Sequence, residues 1–178
     1  MKMIVALLLS LQAASIDDFY KFKVGTTWTY KRVEGGAERK ITVLVMSDSE
    51  ARIRMSWKDP DKDGDSNVSW FMDDGILKVE AKKGEAPGLT FAVLKNESKK
   101  DDSWASPGGE CTHKGTADVT VPAGTYKGAV WTRYRTSGDT DVVVDFYLVP
   151  KVGLVKIEIN PTNGGNTFEL TEFKDTKK

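Results

Sequence analysis

Asn67-Val68-Ser69-Trp70-Phe71-Met72-Asp73-Asp74-Gly75-Ile76-Leu77-Lys78-Val79 decides the fold of this chain. Val68, Trp70 and Met72 alternate with Asn67, Ser69 and Asp73, and residues two apart share a face on an extended strand. Asp74-Gly75 then supplies the positive φ that a tight hairpin requires, and a second run begins at Ile76. The same pattern holds one strand earlier, where Ile53, Met55 and Trp57 oppose Arg52 and Arg54.

Outward from this hairpin, no long stretch past Ser15 carries apolar residues at helical spacing. Short alternating or β-branched runs instead recur about every 8–12 residues between turn signals. They predict eleven strands, over 26–33, 40–47, 51–58, 67–73, 76–82, 89–94, 116–121, 125–136, 140–149, 154–160 and 166–173. Glu34-Gly35-Gly36, Ser137-Gly138-Asp139 and Asn163-Gly164-Gly165 punctuate them as turns. The expected fold is all-β: a single domain of about eleven antiparallel strands in a meander, forming a strongly curved sheet or a half-open barrel. The runs 41–46 and 142–148 are apolar on both faces, which predicts central strands or strands covered by loops. A short helical turn is expected at 17–20, and segments 83–88 and 95–109 are the expected rim loops of any binding surface.

Composition bounds the chemistry. The chain has 178 residues, 39% of them hydrophobic, and 26 Lys and Arg balance 26 Asp and Glu. A single domain of this size buries roughly 68–70% of its unfolded surface without metal or disulfide staples. Zero net charge with both signs interspersed removes the electrostatic footprint of a nucleic-acid binder. One cysteine, Cys111, and one histidine, His113, exclude an internal disulfide and any multi-histidine or cysteine-rich zinc site.

Residues 1–15 have the form of a secretory signal peptide: Lys2, an apolar run over 3–11, and small residues at Ala13 and Ser15 that place cleavage before Ile16. The run is well short of the about 20 residues that span a bilayer, so no transmembrane span is expected in the mature chain. Residues 16–178 are then one antiparallel domain, periplasmic or extracellular, in which an unpaired Cys111 is best buried.

Asp59, Asp61, Asp63 and Asp65 stand at alternate positions around Gly64, the opening spacing of a calcium loop. The twelfth position falls on Trp70 rather than on a bidentate Glu, and the flanks are strands, so a helix-loop-helix site is refused. Two readings remain: a solvated acidic hairpin loop, or a calcium site of the β-loop kind. For catalysis the sequence offers little. No Gly-x-Ser-x-Gly elbow accompanies His113, and Cys111 and His113, two apart on a strand, are too distant for a thiolate-imidazole pair. The expectation is a protein that is not an enzyme, with no cofactor beyond a possible calcium ion.

Aromatic side chains are the other resource, since they present flat apolar area to sugars and lipids. Trp28, Trp57, Trp70 and Trp131 fall within strands and are expected in the core or along a concavity. Trp104, after the polar run Lys99-Lys100-Asp101-Asp102-Ser103, is the expected rim residue for a ligand.

Three motifs carry a resemblance: Val24-Gly25-Thr26-Thr27-Trp28-Thr29-Tyr30, Val119-Thr120-Val121-Pro122-Ala123-Gly124-Thr125-Tyr126-Lys127 and Val149-Pro150-Lys151-Val152-Gly153-Leu154-Val155-Lys156. In this order they resemble exported bacterial proteins of unknown function, the group to which TapB-like proteins belong. The resemblance implies an exported chain and a curved antiparallel sheet similar to the lipoprotein carriers LolA and LolB, whose half-barrel holds an apolar ligand. Turn chemistry accounts for the motifs themselves, with Pro122, Gly124 and Gly153 shaping the chain. The function expected is an exported non-enzymatic β-domain that binds an apolar or cell-envelope ligand. The alternative is a structural or protein-interaction module of the envelope, stiffened by calcium. A hollow apolar interior favours the first and a filled core the second.

Overall fold

The computed structural model describes residues 15–49, 52–58, 66–82, 89–138, 141–160 and 165–176. After a single 3-10 turn at Ile16–Phe19 come β1 (Thr27–Glu34), β2 (Ala37–Asp48), β3 (Arg52–Lys58), β4 (Ser66–Asp73), β5 (Ile76–Lys82) and β6 (Leu89–Lys95). They are followed by β7 (Ser103–Ser106), β8 (Gly109–Val121), β9 (Gly124–Thr136), β10 (Val143–Val149), β11 (Gly153–Ile159) and β12 (Thr167–Lys174). All join one antiparallel sheet in the order β6-β5-β4-β3-β2-β1-β12-β11-β10-β9-β8-β7. It is an up-and-down meander cut between β6 and β7 and closed instead where β1 pairs with β12, Trp28 opposite Phe173. The result is a nearly closed barrel.

Curvature comes from bulges, which add a residue to one strand and bend it. The ladder slips between Thr29 and Tyr30, between Val45 and Ser47, between Leu77 and Lys78, and between Tyr147 and Leu148. Because strand direction alternates, the β1–β2, β7–β8, β9–β10 and β11–β12 connections gather at one end, here the upper end. The β4–β5, β6–β7, β8–β9 and β10–β11 connections form the base, where the N-terminal turn also docks.

The seam between β6 and β7 has no ladder. Side chains replace it: Ala92 N–H donates to Ser106 Oγ at 3.0 Å, Trp104 Nε1 donates to Ala92 O at 2.7 Å, and Thr132 Oγ1 donates to Val93 O at 2.7 Å. An unpaired strand edge exposes a row of donors and acceptors that invites foreign strands, and these bonds occupy it.

Two expectations change. Segment 95–109 is not one long rim loop, because it contains β7 and the turn at Pro107-Gly108 into β8, which makes twelve described strands instead of eleven. Strand β2 does sit inside the sheet, paired with β1 and β3, but its outer face is not covered throughout: Ile41, Val43 and Val45 are buried, whereas Met46, at the bulge, is exposed. Among the described residues no helix is long and apolar enough to cross a membrane.

Candidate functional site

Inside the curved sheet lies a cavity of about 470 Å³. Strands β1 and β2 give it Trp28, Tyr30, Arg32 and Val43, and β3 to β6 give Met55, Val68, Trp70, Val79, Ala81, Leu89, Phe91 and Val93. Val144 and Phe146 of β10, Leu154, Ile157 and Ile159 of β11, and Phe168 of β12 complete the wall. The alternation that makes each strand amphipathic collects these residues on one face, and the bending of the sheet turns that face inward.

The polar atoms of Trp28 and Tyr30 are bonded to backbone carbonyls of the 152–154 segment. Trp28 Nε1 donates to Val152 O and the Tyr30 hydroxyl to Leu154 O, each at 2.7 Å. Burial pushes the Tyr30 phenol well above its ordinary pKa, so it stays a neutral donor. Apart from Arg32, the surface left to an occupant is mostly hydrocarbon and ring.

Base and upper end differ. At the base Phe22 meets Trp28 edge-on with centroids 4.7 Å apart, and Phe173 stands 5.6 Å from Trp28. Gly153 is required here: its φ is +82°, and a Cβ would sit 3.0 Å from the Phe22 ring. The Lys151 N–H donates to Asp18 O, so the 150–153 turn holds the N-terminal segment against the barrel. Two of the motifs singled out in the sequence therefore meet, through Trp28 with Val152 and Tyr30 with Leu154, as scaffold for the base. At the upper end the lining residues Ala81 and Leu89 are exposed, Leu89 to 70%, so the cavity opens there.

The structure redistributes the residues read as candidates. Trp104 is not a rim residue: it is 6% exposed, and its indole closes the seam. The polar run before it suggested a surface loop, but β7 begins at Ser103 and points Trp104 into the row Trp104–Cys111–Tyr134 across β7, β8 and β9. Trp28 and Trp70 do line the cavity, whereas Trp131 lies half-buried on the outer face, stacked on Tyr147 at 6.0 Å. Cys111 is fully buried, and burial lifts its thiol pKa to about 12. The His113 ring holds the 96–102 loop, with Nδ1 3.0 Å from Ser98 O and Nε2 3.2 Å from Gly115 O. Asp59, Asp61, Asp63 and Asp65 and the 83–88 segment lie outside the described residues, as do residues 1–14.

Sequence reasoning missed the outer network beside Trp131. Asp145, with a side chain only 2% exposed, accepts from Arg133 Nε and Nη2 at 2.8 Å each and from Trp131 Nε1 at 2.9 Å. Alternating charges continue the row through Glu158, Lys156, Glu169 and Lys31. An Asp inside the apolar run Val142-Val143-Val144-Asp145-Phe146 was the available signal, since a buried carboxylate needs partners.

No family model matches the chain, and no curated protein matches it in sequence. Two solved structures share its fold. One is a Bacteroides fragilis protein of YmcC-like fold assigned to export, with a TM-score of 0.60 and 14% identity, covering 91% of this chain and 100% of that one. The other is a Parabacteroides distasonis protein assigned as a lipoprotein, with a TM-score of 0.59 and 13% identity, covering 90% of this chain and 99% of that one. The likeness is one of fold: the chain shares its architecture with one protein described as exported and one described as a lipoprotein. The likeness to TapB-like proteins and to LolA and LolB rests on the three sequence motifs alone.

Proposed function

We propose that the protein is an exported, non-enzymatic β-domain that holds an apolar or cell-envelope ligand inside its sheet, acting after cleavage before Ile16. The observation that carries this reading is the cavity of about 470 Å³, with the polar atoms of Trp28 and Tyr30 bonded to backbone carbonyls. Apolar wall left facing water in an open cavity forgoes roughly 25 cal/mol for each Å² that could have been buried. A barrel selected only for structure would fill such a space with larger side chains. Its volume also falls within the roughly 300–1,000 Å³ of ordinary ligand pockets.

Export agrees with the signal-like residues 1–15 and with the assignments of the two structural neighbours. In the full chain Ser15 caps the 3-10 turn, accepting from Asp17 N–H at 3.3 Å while the Asp18 carboxylate accepts from Ser15 N–H at 3.1 Å. Cleavage before Ile16 exchanges that cap for an ammonium group next to two carboxylates.

Native mass spectrometry of the protein purified from its export compartment tests both parts. The expected result is the mass of residues 16–178 plus a non-covalent adduct of roughly a few hundred daltons, lost on denaturation. A bare mass together with no uptake of a neutral apolar dye would overturn the ligand reading in favour of a structural or interaction module.

A further inference from the structure

Trp28, Tyr30 and Trp70 are the aromatic residues of the cavity wall that also carry a hydrogen-bonding group. Trp28 Nε1 and the Tyr30 hydroxyl donate to Val152 O and Leu154 O. Trp70 differs: it is 6% exposed, and among the described residues none accepts from its Nε1. The remaining indoles whose side chains are described, Trp104 and Trp131, are bonded as well, to Ala92 O and to Asp145 Oδ1. A buried indole N–H ordinarily finds a partner, because leaving it unmet forfeits the water it gave up on folding. Trp70 stands opposite Ile53 of β3 and Val79 of β5, and Val79 stands opposite Phe91 of β6, so the side chains beside it on the inward face are hydrocarbon and ring. It lies four residues below the upper end of β4, about 13 Å at roughly 3.3 Å per residue. The unmet donor is therefore set within the wall of the cavity, below its mouth.

Resting on the ligand reading above, we propose that the occupant is a neutral molecule whose hydrocarbon body carries a carbonyl oxygen, of an ester or a ketone, and that this oxygen accepts from Trp70 Nε1. The surroundings of the donor select the acceptor. A carboxylate taken out of water needs several donors, and Asp145 of this same protein has three, two from Arg133 and one from Trp131. One neutral indole N–H is too little for a buried charge and suits a carbonyl, which needs only one partner. Arg32, the described wall residue with a formal charge, already has the Glu34 carboxylate 2.6 Å from its Nη2, so the pair calls for no further anion. The rest of the wall offers an occupant apolar contact, and Trp70 offers it one fixed point of orientation.

Displacement of a neutral apolar dye by four ligands of one medium chain length tests this: a fatty acid methyl ester, a methyl ketone, an alkane and a fatty acid, all below their solubility limits. Each is measured on the native chain and on Trp70→Phe, which keeps a ring and removes the N–H. Relative to the alkane, the tighter of ester and ketone should lose about three- to tenfold in Trp70→Phe, the weight of one neutral hydrogen bond. Which of the two is tighter identifies the carbonyl. The native chain supplies a second readout that needs no variant to fold: in the ¹⁵N-labelled protein, one of the five indole N–H signals should move downfield with ester or ketone and stay in place with the alkane. Unchanged ratios and unmoved indole signals, with the dye still bound and displaced, would overturn the carbonyl assignment and leave the ligand reading standing. Tighter binding of the fatty acid than of ester and ketone would overturn the neutral occupant. If neither the dye nor any of the four ligands binds, the ligand reading itself falls and the assignment with it.

Discussion

Trp104 donates its indole N–H across the open seam of the barrel to the backbone carbonyl of Ala92, 2.7 Å away. Two residues on, Ser106 Oγ accepts the N–H of the same Ala92, so one residue of edge strand β6 is held at both its backbone groups by side chains of edge strand β7. Removing the donor leaves a buried carbonyl unmet, at about 1–3 kcal/mol. Trp104→Phe should therefore lower the melting temperature by about 2–4 °C per kcal/mol lost. Amide exchange should quicken in β6 and β7 before β1 and β12. Uniform acceleration through the sheet would show that the seam is not an independent weak point.

Cys111 makes stability depend on alkaline pH. The buried thiol titrates at about 12 against an ordinary value of 9.0, chiefly because burial disfavours the thiolate. Between these values the unfolded chain has lost a proton that the folded chain keeps, so stability is full below pH 9 and declines as pH rises toward 12. One such group sets a slope of up to about 1.4 kcal/mol per pH unit. Tyr30 and Tyr147, both raised chiefly by burial, add to the fall at higher pH. Urea unfolding of Cys111→Ala across this range should give a shallower decline than the native chain, and identical slopes would refute the assignment.

Asp145 and Arg133 should prove energetically coupled. Asp145→Asn keeps the shape but gives up the charge that organises Arg133 and Trp131, with an expected loss of about 1.5–3 kcal/mol. A double-mutant cycle with Arg133→Gln, read by chemical denaturation, isolates the pair from the packing of Trp131 on Tyr147. Additive losses would mean that the two side chains are neighbours without mutual support.

Filling the cavity separates binding from folding. Val144 lies on the cavity wall opposite Tyr134 in β9, and a larger ring there enters open space. Val144→Phe should leave the melting temperature unchanged or raise it while weakening uptake of a neutral apolar dye about tenfold or more. A packed interior would answer instead with the roughly 1–3 kcal/mol loss typical of overpacking.

Calcium at Asp59, Asp61, Asp63 and Asp65 is tested through linkage, because a ligand stabilises only the state that binds it. Asp61→Asn combined with Asp63→Asn should lower the melting temperature in calcium and leave it unmoved in chelator. An equal shift in both solutions would point to a solvated acidic loop.

Local chemistry made much of the barrel legible. Alternation over Val68, Trp70 and Met72 and the turn at Asp74-Gly75 are events within a dozen residues, and pairing of consecutive strands follows from short connections. Where local pattern was weak, the strands were lost. Ser103-Trp104-Ala105-Ser106 is too short and polar to stand out, although Pro107-Gly108 behind it is a turn signal that marks the hairpin.

The sequence by itself determined an antiparallel all-β chain, its hairpins and the inward side of most strands, because a two-residue period and turn dihedrals are set by neighbours along the chain. Only the tertiary structure decided that β1 meets β12, that the ring stays open at β6 and β7, and that Trp104 faces in while Trp131 faces out. It alone set Trp28, Tyr30 and Trp70 around one cavity. Those outcomes depend on bulges summed around twelve strands and on contacts between residues far apart in sequence, such as Trp28 with Val152 and Thr132 with Val93. A hollow interior is a property of how far the sheet bends, and no single strand carries that information.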